Sequence, residues 1–156
     1  MEDKYMFLGM LNEKEGKNFL ELANIAMMAN GDEVKEAEKA VLQAFKLELE
    51  MQDYVIKNKK QEELITAFQA STKKIKKAVI IELAGVLDAD EGIDDIEDSW
   101  IRKLGEDLGF RDSEIKKMVR WTQDFNDLLD EAYEYMGVKK DVKVENGDFV
   151  KAYVDG

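Results

Sequence analysis

The side chains that could do chemistry in this chain are carboxylates, and they crowd one place. "LDADEGIDDIED" (87–98) holds seven acids in twelve positions with Gly92 near its middle. Asp88, Asp90 and Glu91 fall within one turn, and Asp94, Asp95 and Glu97 lie just beyond. Hard cations take six to eight oxygens, and a glycine-kinked loop opening onto a helix can supply several of them. The spacing is not that of an EF-hand. With Asp88 and Asp90 as the first and third ligands, Gly92 falls fifth instead of sixth and Glu97 tenth instead of twelfth. The same residues have a structural use. Asp90 suits an Asx turn, Gly92 a positive φ, and Asp94 with Glu97 a capping box at a helix start.

Other chemistries are excluded by composition. The 156 residues include no Cys and no His. That removes thiol nucleophiles, zinc-thiolate sites and every triad that needs an imidazole. A bound metal must therefore be held by oxygens, which selects Ca²⁺, Mg²⁺ or Mn²⁺. No phosphate loop, nucleophile elbow or dinucleotide fingerprint is present, so the expectation is a protein that is not an enzyme. The net charge is −12. A field of that sign repels nucleic acid and anionic lipid and attracts cations or basic proteins, so no direct nucleic-acid partner is expected. Residues 57–77 run against the trend, with seven Lys against Glu62 and Glu63. Such a run is either a docking patch or a solvated helix face. The N-terminus lacks a signal-peptide pattern and no stretch approaches a membrane span, which points to a cytoplasmic protein.

The elements that must carry these acids read as helices. Pro is absent and apolar residues recur at three and four. The periodicity predicts helices near 4–11, 13–29, 35–53, 59–70, 72–87, 94–108 and 113–136, an all-α bundle of about seven. Asn12 with Glu15, and Asp94 with Glu97, predict capping boxes, and "NKKQ" (58–61) a weaker start at Asn58. Met118, Trp121, Phe125, Leu128, Ala132 and Met136 form one face of the last helix, predicted to be its core side. Asp124, Asp127, Asp130, Glu131 and Glu134 lie opposite. Trp100, Phe19 and Phe45 complete the expected aromatic core. From Val138 the pattern changes to alternation about Asn146-Gly147, a hairpin signal. The domain reading is therefore a helical body over 1–137 and an extended or hairpin tail over 138–156.

One helix pair occurs twice. "FLELANIAMMANGDEVKEAEKAVLQAF" (19–45) and "VIIELAGVLDADEGIDDIEDSWIRKLGEDLGF" (79–110) share an "ELA" helix, a polar Gly loop, a β-branched residue and an acidic helix start. This twice-used pattern resembles the TerB-like (tellurite-resistance) family over roughly residues 10–136. The resemblance implies an all-helical fold of two similar halves around an acidic face that binds divalent metal. It places the ligands at the loop positions Asn30 and Asp90, the helix-start positions Glu38 and Glu97 and the "ELA" positions Glu21 and Glu82; the acids of the second loop itself add Asp88 and Glu91 to the candidate set. This chain has Asn30 where Asp is usual, one extra residue before Val34, and Glu91-Gly92 in swapped order. The family is linked to tellurite and chemical-stress resistance and to membrane-associated stress complexes. The resemblance therefore implies a stress-response module that binds a divalent cation, a protein partner or both, with peripheral membrane association through a complex. The competing reading is an acidic inhibitor or nucleic-acid mimic that fills a basic site on a partner without metal.

Overall fold

The structure, a computed structural model, describes residues 7–29, 31, 36–88, 92–145 and 148–155. Of the sequence-predicted positions, Asn30, Asp90, Glu91 and the Asn146-Gly147 turn lie outside them. Six α-helices are described: α1 (Glu13–Met27), α2 (Glu36–Glu48), α3 (Gln61–Gln69), α4 (Lys73–Leu87), α5 (Asp95–Asp107) and α6 (Asp112–Tyr135). The first predicted helix is instead a three-residue 3-10 turn, Leu8–Met10, whose Leu8 is fully buried.

The centre is set by α1 and α4, which pack on each other and are buried over most of their C-terminal halves, from Asn18 to Met27 and from Ala78 to Leu87. α3 packs against α1, the 3-10 turn against α4, and α5 and α6 cover α4. Phe19, Leu20, Ile80, Leu83, Ile101 and Leu104 are buried in this core, and Phe19 meets Phe45 edge-on with centroids 5.1 Å apart.

Both strong capping boxes form. The Asn12 amide donates to Glu15 Oε1 at 3.0 Å and the Glu15 amide to Asn12 Oδ1 at 2.8 Å. Asp94 and Glu97 repeat this at 3.0 and 2.8 Å. The third predicted start shifts: Lys60 is the N-cap of α3, while Asn58 takes a left-handed φ of 56°. α2 also stops short of the predicted residue 53. Glu50 turns left-handed (φ 57°) and the Met51 amide reaches back to the Lys46 carbonyl at 2.7 Å, closing the helix without a glycine.

The tail is a two-stranded antiparallel hairpin, β1 (Val138–Glu145) and β2 (Asp148–Asp155), with Glu145 opposite Asp148. Both strands pack against α2, and β1 continues from α6. A lone hairpin is marginal in water, and docking on a helix is what lets it persist.

The predicted core face of α6 is wrong by about a quarter turn. Ile115, Val119 and Thr122 are its buried residues. Trp121 is 45% exposed and Leu128 64% exposed, while Phe125 and Trp100 are half-buried. The apolar arc of α6 is wider than the bundle can cover, and the body takes the edge that carries Ile115. Gly105 of α5 explains that choice, because a Cβ there would lie 2.5 Å from Ile115 Cδ1, so only glycine lets the two helices approach this closely.

Candidate functional site

Each acid predicted as a cation ligand is built into a particular contact where the structure describes it. Glu21 lies on the third turn of α1 and is 1% exposed. Its carboxylate accepts from the Tyr54 hydroxyl at 2.5 Å, the Lys57 amide at 2.8 Å and the Lys59 amide at 3.1 Å. It thus ties the extended segment between α2 and α3 onto α1. Burial pushes the Glu21 carboxyl up, but the Tyr54 hydroxyl, the two amides and the Lys59 charge outweigh it and hold the group below the usual carboxylate range. The same contact, after burial, pushes the Tyr54 hydroxyl up.

Glu82 occupies the equivalent "ELA" position on α4 and faces the other end of the chain. Its Oε2 accepts from the Phe7 amide at 2.9 Å, just before the 3-10 turn. Burial pushes its carboxyl up, and the Phe7 amide offsets only part of that. Asp88 ends α4 and accepts from the Asn126 side chain at 2.8 Å, which ties that end of α4 to α6. Gly92, at φ 92°, supplies the left-handed turn the sequence predicts for this loop. Glu97 is buried and closes the α5 capping box; Glu38 is buried on the first turn of α2.

These carboxylates do not converge. Among the described residues no three acids gather closely enough to hold a metal ion. Glu21, Glu82, Asp88 and Glu97 each already accept from a backbone or side-chain donor. The described part of the predicted ligand set therefore does not fit a shared divalent cation; Asn30, Asp90 and Glu91 lie outside it.

The partners of the "ELA" acids escaped sequence reading. Tyr54, Lys57, Lys59 and Phe7 lie 33 to 75 residues away from the acids they bind, and backbone donors leave no mark in a sequence. No family model, characterised protein or solved structure matches the chain. Function is therefore read from this molecule's own surface.

That surface is distinctive along α6. Trp121, Phe125, Leu128, Ala132 and Tyr135 follow one another at alternating steps of four and three. Leu128 and Tyr135 are exposed, at 64% and 81%. Trp121 is held between two rings, stacked on Phe125 with centroids 5.4 Å apart and an interplanar angle of 14°, and tilted against Phe7 at 6.2 Å. Beside this stripe run Asp124, Asp127, Glu131 and Glu134, and no basic residue occurs between Thr122 and Gly137. Among the described residues, no helix is long and apolar enough to cross a membrane. The stripe on α6 is thus a narrow apolar band beside a dense negative edge.

Proposed function

We propose that the chain is a non-enzymatic, TerB-like stress-response module that docks a protein partner through the exposed side of α6. The observation that carries this reading is the apolar stripe set beside the acidic edge of one helix. Each large apolar side chain left in water forgoes roughly 1.5–3 kcal/mol of burial. Trp121, Leu128 and Tyr135 do so together on one face, and such a contiguous patch marks a protein-interaction surface. The ring contacts of Trp121 support the reading further, because a rigid aromatic anchor loses little freedom on binding.

Two similar helical halves belong to the same proposal. In its favour, α1 and α4 each have 15 residues, and each follows a side-chain N-cap, Asn12 and Thr72. Glu21 holds the segment leading into α3, and Glu82 holds the segment leading into the 3-10 turn before α1. Each half's "ELA" acid thus grips the entry of the other. Of a divalent cation and a protein partner, this reading takes the partner, because Glu21, Glu82, Asp88 and Glu97 are each engaged by a separate donor. Association with a membrane complex would come through the docked partner, and a cytoplasmic location accords with the reading.

The competing reading, an acidic mimic that fills a basic site, needs the negative edge and not the apolar stripe. Full-length baits separate them. Beside the parent, one bait carries Leu128→Glu and another Asp124→Asn with Asp127→Asn, Glu131→Gln and Glu134→Gln. The account expects a partner held by the parent and lost by Leu128→Glu at unchanged melting temperature. Retention by Leu128→Glu, with loss only on neutralising the acids, would favour the mimic.

A further inference from the structure

α6 is polar along its length as well as across it. Its first ten residues and the residue before them carry Arg111, Lys116, Lys117 and Arg120, against Asp112 and Glu114. From Trp121 onward its charges are all acidic: Asp124, Asp127, Asp130, Glu131 and Glu134. Lys117 and Arg120 flank the apolar stripe on the same edge as Asp124 and Glu131, because steps of three, four and seven return to one side of a helix. The opposite edge is the one packed on the body through Ile115, Val119 and Thr122.

We propose that the partner fitting this surface is a second copy of the chain, with the two α6 helices packed antiparallel about a two-fold axis. This rests on the reading of α6 as the docking face and names its occupant. Alternating four-and-three spacing is the seam of a two-helix coiled coil. In an antiparallel pair the like edges of the two helices meet. With the two-fold placed near Phe125, Lys117 and Arg120 face the partner copy's Glu134 and Glu131, and the two-fold repeats the match. These four attractive contacts outnumber the like-charged meeting of Asp124 with Asp127 across the axis. A parallel pair would set the charged edge of one helix against the body side of the other, and each acidic stretch beside its twin. The charge order along α6 therefore selects the antiparallel, isologous arrangement. The helix is long enough for it, since 24 residues span about 36 Å. The seam occupies little more than half of that length, so the association is expected to be weak and concentration-dependent.

Sedimentation velocity on the full chain, from micromolar to millimolar concentration, tests this. The expected result is a reversible monomer–dimer equilibrium that Leu128→Glu abolishes, and circular dichroism should show that variant folded because the site is exposed. Lys117→Glu with Arg120→Glu should weaken self-association on the order of tenfold or more, and so should Glu131→Lys with Glu134→Lys. Mixing these two charge variants should restore the dimer, because both contacts of the mixed pair are then attractive. A monomer throughout the range overturns the proposal, as does a dimer indifferent to Leu128→Glu, or a mixture that associates no better than its parts. A monomer whose Leu128→Glu variant still loses a captured partner would overturn self-pairing while sparing the docking reading.

Discussion

Glu21 and Glu82 sit at the same place in two copies of the tripeptide Glu-Leu-Ala, yet their carboxyls are moved in opposite directions. The difference lies in donors. Glu21 has a hydroxyl, two amides and a nearby ammonium against its burial, and Glu82 has the single Phe7 amide. The two should therefore have opposite signatures in the pH dependence of stability. A lowered folded pKa contributes stability that is present above the unfolded value, about 4.3, and lost as pH falls through the folded one. Glu21→Gln should then cost about 1.5–3 kcal/mol at pH 7 and progressively less in acid. A raised folded pKa works the other way, with stability present below about 4.3 and lost as pH rises through the folded value. Glu82→Gln keeps an acceptor for the Phe7 amide and removes the buried charge, so it should be stabilising at pH 8 and nearly neutral at pH 4. Urea midpoints for both variants across this range check the signs. The sequence singled out both glutamates, but as ligands. Their role as clamps depends on amides at Phe7, Lys57 and Lys59 that only folding brings near.

At the scale of elements, the capping boxes were legible because both partners lie within four residues. Asn12 with Glu15 and Asp94 with Glu97 needed no knowledge of the rest of the chain. The face of α6 was not legible for the opposite reason. Periodicity marks an apolar arc but cannot say which part of a wide arc the body covers, and here Gly105 on another helix decides it. The end of α2 was hidden because Glu50 takes a left-handed conformation that glycine usually signals. The reassigned face has a direct consequence. Ile115→Ala, at a fully buried position, should cost about 2–5 kcal/mol through the cavity it leaves. Leu128→Ala, on the stripe predicted to be core, should stay within about 0.5 kcal/mol in the monomer. Chemical denaturation at low protein concentration compares the two. Equal losses would return Leu128 to the core.

For the whole molecule, the all-helical body and the paired tail were visible in composition and pattern, whereas the use of the acids was not. Thirty-five acidic residues can serve as ligands, caps, clamps or field, and the choice depends on which donors folding supplies. In the described residues the predicted ligands are taken up separately, and a run of acids with no basic residue in the sequence between Thr122 and Gly137 lies along α6. The central claim is that these acids organise and present a protein-docking helix instead of holding a cation. Thermal unfolding of the full chain with Ca²⁺, Mg²⁺ or Mn²⁺, each against sodium chloride of equal ionic strength, tests it most directly. Screening acts on surface acids alike and cancels in that comparison. A cation bound only to the folded state would add about 2.7 kcal/mol at a hundred times its dissociation constant. For a domain of this size that is a rise of roughly 5–10 °C in melting temperature. The account predicts that no divalent ion exceeds matched salt, in the parent or in Asp90→Asn. A saturable rise in the parent that Asp90→Asn removes and Asp127→Asn leaves intact would contradict it.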